Sequence, residues 1–194
     1  MKLTQAVCNT AIVPLVWKQV VPQEDDYHWA AYGDQLDWCQ AQGINTCAGP
    51  LVKFDDRGLP TWLNAWQDDV DAIAAFAAEY AARVVTQFRG RVSFWNAASF
   101  SYRAHQLGLK DEEKLRIIAR LFDTIRRCDT DTPLVVSFDQ PWGEYLRRVP
   151  LAYAPIHIAD HLVRSGLPIA APGIGDRSRL LARRFRTARR RRAQ

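Results

Sequence analysis

Short, continuous apolar runs alternate along this chain with longer amphipathic segments. Ala11 to Trp17, Ile44 to Val52, Val92 to Asn96 and Leu134 to Phe138 are runs of the first kind, and Ile169 to Ile174 is a fifth candidate. A short run without polar alternation suits a strand covered on both faces, the parallel-sheet case. Pro14 interrupts the first run and argues for a bulge or against a regular central strand. Between the runs, Trp29 to Gln42 repeats apolar residues at helical spacing (Trp29, Tyr32, Leu36, Cys39) and stops at Gly43. Trp66 to Phe88 predicts a long helix with Val70, Ile73, Phe76, Tyr80 and Val84 on one side and Asp68, Asp69 and Asp71 in its first turn. Asp111 to Arg127 predicts another, with Leu115, Ile118, Phe122 and Ile125 inward and Lys114, Arg116, Arg120 and Arg126 outward. Ile156 to Ser165 is read as helical too.

Strands alternating with helices at this spacing predict βαβ units and a parallel sheet. A closed (β/α)8 barrel usually takes about 250 residues. The chain has 194, so part of a barrel fits better than a whole one. A doubly wound open sheet is the alternative, but no Gly-rich phosphate loop follows any strand. In a barrel the chemistry lies just past the C-terminal strand ends. The stretch from Arg89 to Phe100 has that plan: a helix end, a turn at Gly90, a short strand, then small and polar residues beyond it.

Composition adds a division. The net charge of +5 is not spread over the chain. Residues 176–194 hold nine arginines and one aspartate, or +8, which leaves the first 175 residues at −3. The reading is therefore a barrel portion over residues 1–175 and an Arg-rich tail over 176–194, irregular or helical. No apolar run reaches the ~20 residues of a membrane helix. No secretory leader is visible after Met1, so a cytoplasmic location is expected. Cys8, Cys39, Cys47 and Cys128 have no C-x-x-C spacing and are read as reduced, small buried hydrophobes.

Several segments, in order, resemble glycoside hydrolase family 10, the xylanase-type barrels. Trp17-Lys18-Gln19-Val20-Val21-Pro22 with Tyr27-His28-Trp29 is similar to the segment after that family's second strand. Gly43 to Val52 with Leu59-Pro60-Thr61-Trp62-Leu63 resembles its third strand and Leu-Pro-x-Trp loop. Phe88-Arg89-Gly90-Arg91-Val92 through Trp95-Asn96 resembles the approach to its acid/base glutamate, and Arg164 to Ile169 with Gly173-Ile174-Gly175 the entry to its sixth strand. The likeness covers residues 6 to 175 as strands two to six. Phe138 to Tyr145 is similar to divergent bacterial members of the same kind. The resemblance implies a partial (β/α)8 barrel, β-glycan hydrolysis and no cofactor.

The sequence departs from that pattern where the chemistry should be. The family closes its fourth strand with Asn-Glu; here Ser99-Phe100 stands there. Phenylalanine cannot transfer a proton. The second carboxylate belongs on a seventh strand beyond this sequence, whereas a retaining pair needs both, about 5 to 5.5 Å apart. Ile12, Val13 and Val16 replace sugar-binding polar residues of the second strand, and Gly49 and Phe54 replace third-strand histidines. After Gly175 the apolar strand pattern gives way to Asp176-Arg177-Ser178-Arg179, a composition change that a shifted reading frame would produce.

The candidate chemistry that remains is modest. Asp139 and Glu144, just past a strand, are the carboxylates able to act as a base. Trp17, Lys53, Trp62, Trp95, Asn96, Ser99, Gln140 and Trp142 are the candidate sugar contacts, each with a structural alternative: packing for the tryptophans, local hydrogen bonding for Asn96 and Ser99, a solvated pair with Asp55 for Lys53. His157 and His161 lie four apart, but a third ligand and the H-E-x-x-H base are missing, so no metal is expected. The arginines offer charge without aromatic interleaving, which argues against specific nucleic-acid recognition. A carbohydrate is the expected ligand, and open sheet edges predict self-association.

Overall fold

The computed structural model describes residues 9–100, 106–139, 155–166 and 169–174. Its strands are β1 (Thr10–Val13), β2 (Asn45–Ala48), β3 (Val52–Lys53), β4 (Phe94–Phe100), β5 (Leu134–Phe138) and β6 (Ile169–Ile174). Its helices are α1 (Trp17–Val20), α2 (Ala30–Ala41), α3 (Val70–Phe88), α4 (Asp111–Cys128) and α5 (Pro155–Arg164). All strand pairs of the sheet are parallel, in the order β1-β2-β4-β5-β6. Short β3 pairs β4 through Val52↔Ala98 and Lys53↔Ser99, above the β2 pairs Cys47↔Phe94 and Ala48↔Trp95. Thus β2 and β3 are two halves of one interrupted strand. The interruption is built by Gly49, whose φ of +119° lies in the glycine-favoured region. A Cβ there would stand 2.2 Å from the Asn96 carbonyl oxygen. Opposite the break, the β4–β5 register shifts between Asn96 and Ala98.

The core fills the space between sheet and helices. Helix α3 buries Ile73, Ala77, Tyr80, Ala81, Val84, Val85 and Phe88, and α4 buries Ile117, Ile118, Leu121, Phe122 and Ile125. The small residues of α3 let its neighbour approach closely. Arg116 of α4 pairs with Asp71 of α3 at 2.6 Å across the seam. Tyr80 is wholly buried; its hydroxyl donates to the Leu15 carbonyl at 2.9 Å, and burial pushes its pKa well above the ordinary value.

Several expectations are corrected. The strand expected over Ala11 to Trp17 ends at Val13: Pro14 lacks an N–H for the ladder, Leu15 N–H turns back to the Val13 carbonyl, and Trp17 opens a one-turn helix. The helix expected from Trp66 begins at Val70, because Asp69 caps it by accepting from Ala72 N–H at 2.9 Å; Thr61–Trp66 is a separate 3-10 segment. The strand expected to stop at Asn96 runs to Phe100, so Ala97 to Phe100 lie inside the ladder rather than beyond it. Lys114, expected outward, is 9% exposed and pairs with Asp111 at 3.2 Å. The Arg-rich tail lies outside the described residues, as does Cys8. No helix among the described residues is long and apolar enough to cross a membrane.

Candidate functional site

At the C-terminal ends of β3, β4 and β5 one pattern repeats: a polar residue followed by phenylalanine, in Lys53-Phe54, Ser99-Phe100 and Ser137-Phe138. Parallel register brings the three pairs side by side, with Lys53 opposite Ser99, Ser99 opposite Ser137 and Phe100 opposite Phe138. The rings stack into one layer. Phe100 lies parallel to Phe138 at 5.3 Å and tilted against Phe54 at 5.8 Å. All three are buried, Phe100 at 2% exposure. Proton transfer is absent from this position, and the position is filled by packing rather than left open.

Polar groups gather at the same strand ends. Lys53 Nζ stands 2.9 Å from Asp55 Oδ2 and 3.3 Å from Asp139 Oδ2. Ser99 Oγ donates to Asp139 Oδ1 at 3.4 Å. Asp139 is placed by its own N–H, which extends the ladder to the Phe100 carbonyl at 2.9 Å. Asp55 is 5% exposed, so the solvated Lys53–Asp55 pair expected from sequence is instead a buried anchor. Its other oxygen accepts from Arg57 N–H at 3.1 Å, a local Asx-type turn. The turn closes tightly on Lys53: a Cβ at Gly58 would lie 2.2 Å from the Lys53 carbonyl oxygen. Burial works against the Lys53 charge, but the hydrogen bond from Lys53 to Asp55 and the nearby charge of Asp139 outweigh it and raise its pKa above the ordinary lysine value.

The remaining expected contacts separate from this cluster. Trp17 is 1% exposed and stacks on Tyr80 at 5.3 Å. Trp95 is fully buried near the N-terminal end of β4, where its indole donates to Asp129 Oδ2 at 2.9 Å. Neither offers a ring face to a dissolved sugar, so both are corrected to core residues: large apolar rings near a strand end bury more area than they expose. Asn96 is 8% exposed and donates to Ser137 Oγ at 3.1 Å, holding the bulge of β4 together. Trp62 is half-buried; its ring meets Trp17 and Phe76 edge-on and its indole donates to the Val21 carbonyl. Gln140, Trp142 and Glu144 lie outside the described residues. His157 and His161 are exposed on α5, and no group of three or more metal-type ligands occurs among the described residues.

The structure therefore unites Lys53, Ser99 and Asp139 of the expected contacts and adds Asp55. Asp55, expected as the solvated partner of Lys53, is that partner in a buried turn; an aspartate three residues before glycine is the turn signal that points to its anchored place. What the arrangement offers a ligand is the Lys53 ammonium and the Asp139 carboxylate, with side chains 24% and 34% exposed; Ser99, at 2% exposure, is closed to a ligand and is corrected from a sugar contact to a group that holds Asp139. Asp55, with both oxygens engaged, positions Lys53.

No family model matches the chain, and no curated protein matches it. Solved structures do. Over 89% of the chain the fold is similar to native xylanase 10B from Thermotoga maritima, with a TM-score of 0.70 and 14% identity. Over 99% it is similar to a family 10 xylanase from Thermobacillus composti, with a TM-score of 0.71 and 17% identity. Xylanase 10B from Thermotoga petrophila, solved in complex with xylobiose, matches over 99% at a TM-score of 0.71 and 14% identity. The chain spans 53%, 58% and 60% of those structures respectively. The fold is thus a partial (β/α)8 barrel, similar to that of these family 10 xylanases.

Proposed function

We propose that this chain binds a β-glycan at the C-terminal strand ends and does not hydrolyse it. The observation that carries the reading is Phe100, packed between Phe54 and Phe138 where the family resemblance puts the proton donor. The polar cluster beside it supplies ligands for sugar hydroxyls, Lys53 as donor and Asp139 as acceptor, with Ser99 holding Asp139 from below. Gln140, Trp142 and Glu144 follow Asp139 directly in sequence and are proposed as further contacts. A ligand site here is supported by the position of the cluster in the barrel, and carbohydrate as its class by a similar fold solved in complex with xylobiose.

The test is calorimetric titration with xylo-oligosaccharides, paired with a reducing-sugar assay on the same samples. Saturable binding with no sugar release is expected. Release above the no-protein blank would refute the non-hydrolytic reading, and absence of binding to any β-glycan would refute the ligand class. The outer strands β1 and β6 each pair on one side among the described residues. Self-association through those edges is part of the same proposal; a monomer at all concentrations in sedimentation would remove it.

A further inference from the structure

A cavity lies between the segment Val21–Tyr27, Trp62 and the flank of α3. It encloses about 200 Å³. Its floor is the stacked pair Trp17 and Tyr80, rings 5.3 Å apart and 7° from parallel. Its walls are half-buried aromatics: Tyr27, Trp62 and Phe76, the last two edge to face at 5.4 Å. Its rim is acidic, with Glu24, Asp25 and Glu79 against one cation, Arg83. At neutral pH that rim carries a net −2.

Arg83 shows how the cavity treats a cation. Its guanidinium lies 4.8 Å over the Tyr27 ring, 2.6 Å from Glu79 and 3.6 Å from Asp25. Ring face and carboxylate act on one planar cation together. Arg83 leaves much of the site unused: Trp62 and Phe76 meet each other rather than the guanidinium, and two charges stay uncompensated. Aromatic faces attract organic cations through the ring quadrupole, and acids nearby add to that attraction. A neutral sugar gains nothing from the rim charge, and an anion is repelled by it.

We propose that this cavity is a recognition site for a small organic cation, a guanidinium or alkylammonium group, that seats against Trp62 and Phe76 with Glu79 and Asp25 as counter-charges. Its lining shares no residue with the Lys53–Asp139 cluster. Arg83 is its internal competitor, holding Glu79 and Tyr27 when the ligand is away.

The test is a titration of the full chain with ethylguanidinium chloride, followed by amide and indole resonances. Sodium chloride and methyl xyloside at equal concentration are the controls. Saturable shifts at the Trp62 indole and Glu79 amide are expected with ethylguanidinium alone. Glu79→Gln should weaken binding by about two- to fivefold, the range of one exposed charge pair. Arg83→Met, which removes the competitor and keeps bulk, should strengthen it. Glu79 and Arg83 are exposed, so both variants fold. Equal shifts with sodium reduce the effect to screening, and saturation by the xyloside makes the site a sugar site; either result overturns the proposal. So does unchanged affinity in both variants.

Discussion

The two ends of the sheet use polar side chains in opposite ways. At the N-terminal end they bond mainly to backbone. Asp129 accepts the Trp95 indole and, through Oδ1, the N–H groups of Asp131 and Thr132. Arg126 donates to the carbonyls of Asp129, Thr130 and Thr132. The Thr46 hydroxyl donates to the Arg91 carbonyl, and Thr46 and Ser93 each donate a backbone N–H to the other's hydroxyl oxygen. At the C-terminal end the side chains bond largely to one another, Lys53 to Asp55 and Asp139, and Asp139 to Ser99. Groups that tie the backbone fix a fold. Groups that hold one another can exchange a partner for a ligand. The division agrees with the general separation of stability and chemistry between barrel ends.

The largest effect expected comes from breaking the aromatic layer at the second end. Phe100→Glu places a carboxylate between Phe54 and Phe138, where burial leaves it unpaired. The loss should be about 3 to 5 kcal/mol in denaturant unfolding, with no gain in reducing-sugar release. Retained stability together with hydrolysis would mean that the ring stack is a replaceable filling. Next is the first end. Asp129→Ala orphans the buried Trp95 indole and two turn N–H groups, and should cost about 2 to 3 kcal/mol while leaving glycan affinity unchanged. The acid limb sharpens this point. Burial raises the Asp129 pKa, but the hydrogen bonds from Trp95, Thr132 and Asp131 outweigh it, and the folded-state value falls below 3.8. A depressed carboxylate stabilises above its unfolded pKa and loses that contribution as pH falls through the folded value. Wild type should therefore lose stability below about pH 4 more steeply than Asp129→Asn in urea melts.

How far the sequence reveals these two ends differs as well. Helices α3 and α4 and strand β5 are legible to within a few residues, because long amphipathic periods and one unbroken β-branched run leave no rival reading. The end of β1 and the break after β2 are not. Both depend on where single N–H groups go, around Pro14 and Gly49, and hydrophobic pattern is silent on that. Trp17 and Trp95 are ambiguous in sequence for a plain reason: a tryptophan near a strand end serves a core and a sugar equally well, and only burial decides. Lys114 reads as solvent-facing from helical phase, yet it is buried against Asp111. The Lys53–Asp139 meeting joins residues 86 positions apart; it follows from strand register, which no single run encodes. The polar-Phe repeat at three strand ends was legible and carries that register once it is noticed.

The smallest stability effect is expected to accompany loss of the proposed glycan binding, at Asp139. Its carboxylate is partly exposed, and the Lys53 pair at 3.3 Å is solvent-screened on one side. Pairs of that kind contribute less than about 1 kcal/mol. Asp139→Asn keeps the shape, and with its oxygen turned to Lys53 its amide can donate to Ser99 Oγ, so the unfolding midpoint should hardly move. Lys53 keeps Asp55 as a partner, and its ammonium stays in place. The ligand, however, loses the one charged acceptor at the strand ends that is open to solvent among the residues brought together there. The proposed glycan binding should fall below detection in the calorimetric titration with xylo-oligosaccharides. The crossed result, with Asp139→Asn binding normally and Asp129→Ala failing to bind while still folded, would exchange the roles assigned to the two ends.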